Sequence, residues 1–527
     1  MKNLRLLSLE EDNTLFHSQR GRKLFIFLAF LLPFVWLCVL RPLCMPDGEN
    51  ANDAYYHIGM AERGIPAICA KNFPQLELSV WKENFADKEF LYHVLLCGLV
   101  KLRNLTGSSG EAPYHFPAMF FTGLALAALI YAMIRLKIAP ALLPAATTLA
   151  VLIIPNATFR IYMLRPHVLS LALMLLLCGI LSAGTLKFRI GMTLLVSFIY
   201  TWSYSNPQFI LIPAVLFSLA GLRQDSWKSL WISIAAAGGV VLGLLIHPQF
   251  PHSFIIWKVQ SFDALFGPLF DPGLRGIRTL LPPMEMLPPD VIWHRNALPL
   301  YIFGYMAYLT AARIIAAKGF RFLPIPVIVT GLLALLFTGG SFIVQRTMEY
   351  AAVFMVLFGI QIFDIALKEK IFLPGRERPF RFSFILTALA LLLACYSSVM
   401  NMGYIKSITP PAVGIGKWME ENLPENEVVI NLNWGDFPPI FQANRKQIFL
   451  WGMDPAFSIA RDPRKTRKIE TLLLSGTQLT PRNFLMQTRC RYAFVLAKRD
   501  KFIQYMKRLG WQTVYEAEDG CIFTTGH

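Results

Sequence analysis

The chain has 527 residues, 55% of them hydrophobic and 16% charged, with 50 Lys and Arg against 33 Asp and Glu for a net charge of +17. An apolar fraction this high, a charged fraction this low and a mean hydropathy of +0.47 argue against a purely soluble protein. The positive excess alone would suit nucleic acid or anionic lipid, so the placement of the charges decides between those readings.

Long uncharged apolar runs recur at residues 24–40, 117–134, 138–154, 166–186, 190–222, 229–246, 297–312, 322–344, 350–367 and 382–403. Each is near the roughly 20 residues that cross a hydrocarbon core. The 190–222 run is too long for one crossing and carries Ser203, Ser205 and Asn206 before Pro207, which makes it a helical hairpin and brings the total to about 11 transmembrane helices. Before the first run stand polar Glu10, Glu11 and Asp12, and after it Arg41-Pro42-Leu43 without a small-residue cleavage pattern. It therefore reads as a retained anchor and not a removed signal peptide.

Lys and Arg fall in every second loop: Arg20, Arg22 and Lys23, then Arg135 and Lys137, Lys187 and Arg189, Arg223 and Lys228, Arg313, Lys318 and Arg321, and finally Lys368 to Arg381. By the positive-inside rule these loops are cytoplasmic, the N-terminus (1–23) is inside and everything past about residue 404 is outside. The cytoplasmic segments then carry +12, the outside loops 0 and the tail +5. The net charge is mainly a topology signal, and no nucleic-acid partner is expected.

Three outside stretches are too long for turns, at 41–116, 247–296 and 404–527, and loops of that size usually carry function. In the first, Phe90, Leu91, Val94, Leu95, Gly98 and Leu99 recur at helical spacing ahead of Lys101 and Arg103, which predicts a short helix along the membrane surface. The tail reads as an extracytoplasmic α/β domain, with helices at 416–424 and 499–510, strands at 427–434, 446–452 and 491–497, and a closing hairpin at 513–525 turning at Asp519-Gly520. The eight cysteines show no metal-ligand spacing. Cys490 and Cys521 both lie in the tail, where an oxidising compartment would allow them to pair.

Charges that survive at the outer membrane face are costly without a partner or a task. Asp53 follows the first run by about a dozen residues and precedes Tyr55, Tyr56 and His57; Arg160, Arg165 and His167 occupy the short loop after the third run; Arg346 and Glu349 stand just before the tenth span. Arginines with a carboxylate suit a phosphate-bearing substrate, because guanidinium groups grip phosphate oxygens while a carboxylate takes a proton or holds a metal. Plainer roles fit the same residues. Asp53 is placed to cap a helix, Arg346 and Glu349 to close a helix end as an ion pair, and Arg160 and Arg165 to snorkel to lipid headgroups. His167, His247 and His252 read as structural histidines, and the basic run 461–468 as a solvated face.

With those residues in view, the chain resembles the GT-C superfamily of membrane glycosyltransferases, most closely the catalytic subunits of oligosaccharyltransferases. Asp53-Ala54-Tyr55-Tyr56-His57 is similar to that family's first acidic motif, Arg346-Thr347-Met348-Glu349-Tyr350 to the segment in which an Arg opens a late span, and Asn433-Trp434-Gly435-Asp436-Phe437 to the Trp-Trp-Asp motif of the terminal domain. The chain departs from the pattern in having no acid in the loop after the third span, one Trp where the family has two, and about 11 spans instead of thirteen.

The resemblance implies a polytopic α-helical membrane protein, GT-C-like over 24–403 with a C-terminal extracytoplasmic α/β domain over 404–527, in the plasma or inner membrane with its active site facing the periplasm or exterior. It implies transfer of a sugar or oligosaccharide from a polyprenyl-phosphate donor to a protein, lipid or glycan acceptor. Asp53 would be base or metal ligand with Glu349 as second carboxylate, Arg346, Arg165, Arg160 and His57 would bind the donor phosphate, and Trp434, Asp436 and Tyr56 the acceptor. A divalent metal, Mn or Mg, would belong with Asp53. Two other classes share the general pattern, a transporter or flippase of lipid-linked saccharides and a surface-polysaccharide polymerase or ligase, but no internal repeat of the transporter kind is visible.

Overall fold

The computed structural model describes residues 18–45, 49, 52–105, 114–263, 284–371, 378–403, 411–475 and 479–526. The polar stretch at Glu10 to Asp12, the middle of the second long loop (264–283), Arg376 and the start of the tail (404–410) lie outside the described residues.

A helix stands at every predicted apolar run: α1 (Gln19–Cys44), then, after α2 (Asn52–Arg63) and α3 (Phe90–Leu105) of the first long loop, α4 (His115–Arg135), α5 (Leu143–Leu152) with α6 (Pro155–Ile161), α7 (Pro166–Leu181), α8 (Leu186–Ser203), α9 (Leu211–Asp225), α10 (Leu230–Leu245), α11 (Leu298–Lys318), α12 (Ile325–Ser341), α13 (Met348–Lys368) and α14 (Arg378–Met402). Among the described residues, six helical stretches are long and apolar enough to cross a membrane, one of them the run Pro207–Leu245, and seven if the bent pair Pro140–Leu152 and Pro155–Ile161 counts as one. Helices α7 and α12 are shorter apolar helices. The protein is an integral, multi-pass membrane protein.

Helix α13 is the centre of the bundle. Its residues from Met348 to Ile362 are buried without a gap, the mark of a helix apolar all round that is surrounded by others. Helices α8 and α10 meet through small residues. A Cβ added to Gly239 would lie 2.4 Å from the Leu194 carbonyl oxygen and 2.8 Å from Ser197 Cβ, and one added to Gly243 would lie 2.7 Å from Thr201 Cβ. This is the small-xxx-small contact that lets membrane helices approach closely. Gly239→Ala is expected to cost roughly 1–3 kcal/mol by overpacking, read as a lower unfolding midpoint in detergent. Gly98→Ala, where nothing lies within 4 Å of the added atom, is the control that leaves the midpoint in place.

Two prolines shape the outer end of the bundle. Ile154, extended at φ −140° and ψ 146°, precedes Pro155, and α6 turns 93° away from α5 there. Arg165, extended at φ −144° and ψ 149°, precedes Pro166, which opens α7. A residue before proline is pushed out of the helical region, so both breaks are written in the sequence, and they aim Arg160 and Arg165 across the bundle's end.

The predicted surface helix is α3, but its face is rotated. Tyr92, His93, Leu96, Cys97 and Val100 are its buried residues, while Phe90, Leu91, Val94, Leu95 and Leu99 are half-buried and Gly98 exposed. The buried stripe includes Tyr and His, which a pattern of purely apolar residues passes over.

In the tail, α15 (Val413–Asn422), β1 (Val428–Asn431), β2 (Ile448–Phe449), β3 (Tyr492–Leu496), α17 (Asp500–Arg508), β4 (Gln512–Ala517) and β5 (Gly520–Thr524) follow the predicted order, and the structure adds α16 (Phe437–Ala443) after β1 and three unpredicted helices, Pro455–Arg461, Pro463–Leu474 and Pro481–Thr488, between β2 and β3. The strands build a five-stranded sheet of order β2-β1-β3-β5-β4, parallel at β2-β1-β3 and antiparallel beyond. The first long loop joins its edge, with Phe449 N–H donating to the Gln75 carbonyl at 2.9 Å and Leu78 N–H to that of Leu450 at 2.7 Å. Cys490 and Cys521, whose pairing the sequence leaves open, are both buried free thiols. Cys521 pairs in register with Val495, five positions along the chain from Cys490, or about 16 Å at the rise of a strand and beyond the reach of a disulfide.

Candidate functional site

Asp53 sits in the first turn of α2, facing the two arginines set by the proline breaks. Arg165 Nη2 donates to Asp53 Oδ2, and Arg165 Nη1 to Glu285 Oε1. Glu285 also pairs with Arg160 Nη1 at 2.9 Å, and Arg160 Nε donates to Glu349 Oε2 at 2.6 Å. A continuous line of ion pairs therefore runs Asp53, Arg165, Glu285, Arg160, Glu349, joining the first long loop, the two proline breaks, the second long loop and the head of α13. His167 closes its far end, with Nε2 donating to the Arg160 carbonyl at 2.8 Å and lying 3.6 Å from Glu349 Oε2. The predicted pair of Arg346 with Glu349 is not what forms, because Arg160 takes Glu349 instead.

Glu285 went unrecognised in the sequence. It lies in Pro282-Pro283-Met284-Glu285-Met286-Leu287-Pro288, where prolines and methionines erase any periodic signal; an acid in so apolar a setting is the clue that was available. Burial would raise its carboxyl, but Arg160, Arg165 and Arg346 together hold it well below the usual carboxylate range.

Arg346 stands apart from this line. Among the described residues no carboxylate lies within ion-pair distance of it, and its guanidinium carbon is 5.5 Å from the Tyr204 ring centre at the end of α8. Its Nε, Arg160 Nη2, Glu349 Oε1 and His167 Nδ1 are buried without a hydrogen-bond partner among the described residues. Such clustered orphans call for a bound group, and the arginine nitrogens among them suit an anion. Tyr204, like Lys88 and Glu89, carries no site signal in the sequence, whereas Asp454 lies in the stretch Trp451 to Pro455 that the family resemblance places near the acceptor. Lys88 lies 3.7 Å from Glu89 and 5.6 Å from the Phe457 ring centre. Burial pushes the Asp454 carboxyl up, against the pull of its bond from the Ala456 N–H and of Lys88, with Asp53 adding to the rise.

Two residues beside Asp53 are held in contacts that the sequence does not announce. Tyr56, expected at the acceptor, is 1% exposed inside a cage of Phe73, Trp81, His93 and Phe441. His57, expected at the phosphate, gives its Nδ1 to His93 Nε2 at 2.7 Å, and His93 Nδ1 lies 2.7 Å from Asp87. Both rings follow from α2 packing its apolar side onto α3.

The tail reaches the site through α2. Asn52, next to Asp53, donates to the Gly435 carbonyl at 2.6 Å, so the Trp434-Gly435-Asp436 turn lies against the Asp53 helix. Arg63, at the other end of α2, donates to the carbonyls of Phe441 at 2.5 Å and Asn444 at 2.9 Å. Trp434 is half-buried beside the tail's core. Asp436, expected at the acceptor, is 1% exposed and held by a forked pair from Arg499 at 2.9 and 3.1 Å, so its carboxylate anchors the turn. Asp436→Asn is expected to lower the stability of the tail by roughly 1.5–3 kcal/mol, seen as earlier proteolysis past residue 411, without the acceptor-specific rise in KM that a binding role would give.

Asp53 and Glu349 are each matched to an arginine, and among the described residues no group of three or more His, Cys, Asp or Glu converges as a metal ligand set. The donor set as arranged does not fit the divalent metal that the resemblance implies.

No protein-family model matches the chain, and no curated protein matches it significantly. Solved structures do. Over 96% of this chain and 74% of its own, the archaeal oligosaccharyltransferase AglB from Archaeoglobus fulgidus, in complex with an inhibitory peptide and a dolichol-phosphate, is similar with a TM-score of 0.56 at 12% identity. ArnT from Cupriavidus metallidurans bound to undecaprenyl phosphate matches over 95% of this chain and 97% of its own, with a TM-score of 0.52 at 14% identity. The arabinofuranosyltransferase AftD from Mycobacteria matches over 97% of this chain and 40% of its own, with a TM-score of 0.55 at 10% identity. The chain shares its overall fold with these three proteins.

Proposed function

We propose that this protein is a GT-C-type glycosyltransferase that moves a sugar or oligosaccharide from a polyprenyl-phosphate-linked donor to a protein, lipid or glycan acceptor on the outer face of the plasma or inner membrane. On this reading all 11 predicted apolar segments cross the bilayer, and the tail from 404 to 527 lies outside it. The observation that carries it is Arg346, without an ion-pair partner among the described residues, near a line of ion pairs that begins at Asp53 and ends at Glu349. A cation for a phosphate and a carboxylate for a nucleophile are thus held in one polar cluster at the end of an apolar bundle.

The donor phosphate sits at Arg346, with Arg160 turning its spare nitrogen to it, while the lipid lies along the spans. The acceptor nucleophile attacks the anomeric carbon from the side of Asp53, the bond from that carbon to the phosphate oxygen breaks, and lipid phosphate leaves with the electron pair. The configuration inverts. The proton of the nucleophile passes to Asp53, which Arg165 orients and which gives up that contact as Arg165 stays with Glu285. Stabilising the charge on the leaving phosphate supplies the larger share of the rate. Trp434, set beside α2, contributes to the acceptor's binding surface.

Purified protein in lipid, given a panel of polyprenyl-phosphate sugars and hydroxyl or peptide acceptors with and without EDTA and Mn²⁺, is expected to transfer at least one sugar. Transbilayer movement of the intact lipid-linked sugar without transfer would refute the proposal in favour of a flippase.

A further inference from the structure

Behind Asp53 lies a buried line of three side chains that the scheme above leaves unused. His57 Nδ1 is 2.7 Å from His93 Nε2, and His93 Nδ1 is 2.8 and 2.7 Å from the two Asp87 oxygens. Asp87, His93 and His57 are 1%, 0% and 4% exposed. Asp87 is itself fixed, its N–H donating to Gln249 Oε1 at 2.8 Å and its Oδ1 accepting from the Glu89 N–H at 3.1 Å, while the Gln249 amide donates to the Ala70 carbonyl. The Tyr56 ring, centred 5.5 Å from that of His57 and 5.7 Å from that of His93, covers the line. In such a dry setting each of these bonds is electrostatically strong.

This order of groups assigns the protons. A carboxylate only accepts, so His93 Nδ1 carries hydrogen. With that hydrogen on Nδ1, His93 Nε2 is placed to accept from His57 Nδ1, 2.7 Å away. His57, held neutral by burial, is left with an acceptor at Nε2. Among the described residues no hydrogen bond reaches that nitrogen. An acceptor left open among the described residues can take its hydrogen bond from a bound molecule.

His57 follows Asp53 by four residues on α2, which sets the two on one face, one turn apart. We propose that His57 Nε2 accepts a hydrogen bond from a sugar hydroxyl bound beside Asp53, and that Asp87 and His93 are positioning residues that fix its tautomer. The hydroxyl contact rests on the transferase reading above. A lone pair repels phosphate oxygens, so His57 is excluded from the donor-phosphate subsite and belongs to a separate, hydroxyl-reading one. Donor sugars and glycan acceptors both carry hydroxyls, and the test separates them.

Imidazole nitrogen NMR of the full chain in nanodiscs at neutral pH is expected to show His57 protonated at Nδ1 alone, and Asp87→Asn to disturb that pattern; a proton on Nε2 in the native protein overturns the proposal. In binding titrations, His57→Phe is expected to leave undecaprenyl phosphate within twofold of the native protein. If the hydroxyl is the donor's, the same variant weakens the sugar-linked lipid about tenfold, the worth of one hydrogen bond; if it is the acceptor's, donor binding holds and the acceptor KM rises by a similar factor. His57→Gln, which keeps an acceptor atom, is expected to recover part of either loss, and guards against a simple folding defect. Weakened undecaprenyl phosphate binding in a folded His57→Phe, or no change in any of the three, sinks the proposal. Should the native protein bind neither lipid and transfer no sugar, the transferase reading and the hydroxyl contact fall together, while the NMR arm still judges the tautomer relay alone.

Discussion

Asp53→Asn is expected to lower sugar transfer by roughly 10²–10⁴-fold, the contribution of a well-placed general base, with kcat falling and the donor KM little changed. The substitution keeps the shape of the side chain and its bond to Arg165 but removes the site that takes the proton. Asp53 is a good residue for such a test because the fold does not depend on its charge. Its side chain is 35% exposed, and Arg165 keeps Glu285 when Asp53 is neutral. Stability is therefore expected to stay close to that of the native protein, checked by the unfolding midpoint in detergent. Native-like turnover in Asp53→Asn would transfer the role of base to another group, with Glu349 and Asp454 the carboxylates at hand.

Most of the architecture could be read from the chain because membrane helices and short strands leave strong periodic signals. The hairpin at 190–222 was legible from Ser203, Ser205, Asn206 and Pro207, and the structure breaks the helix there between α8 and α9. The tail's closing hairpin was legible from Asp519-Gly520, a turn that only a residue free to adopt φ +147° makes without strain. The rotated face of α3 was not, since it buries Tyr92 and His93 against α2, and pairwise burial of polar rings carries no period.

The site divides in the same way. Asp53, Arg160, Arg165, Arg346 and Glu349 stood out because each is a charge where the positive-inside pattern places none. Their partners did not. Which arginine takes Glu349 depends on a 93° turn at Pro155, and Arg346, three positions away in the chain, looked the nearer choice. Glu285 and Tyr204 come from separate loops and spans, so only the packed bundle brings them near Arg346. Tyr56, His57 and Asp436 show the converse. Each lies in a motif that resembles a functional one, yet the side chains of Tyr56 and Asp436 are spent on packing and anchoring, and His57 is turned by His93.

Arg346 is the residue on which donor binding should depend most. Its guanidinium has no carboxylate to lean on among the described residues, whereas Arg160 and Arg165 are already committed to Glu285, Glu349 and Asp53. Arg346→Ala is expected to cut transfer by roughly 10²–10³-fold, the loss seen when one donor to a developing oxyanion is removed, and to weaken undecaprenyl phosphate by a comparable factor. Arg346→Lys keeps the charge but not the fork, so part of both losses should return, and the part that does not measures bidentate contact with the phosphate. The two arginines that remain cannot substitute, because freeing either one would leave a buried carboxylate unpaired, which costs about 3–5 kcal/mol. Glu349→Gln tests that reasoning directly. It releases Arg160 from its carboxylate and, in the Arg346→Ala background, should restore a measurable part of undecaprenyl phosphate binding. A double variant no better than Arg346→Ala alone would mean that Arg160 cannot reach the phosphate, and that Arg346 holds it without help.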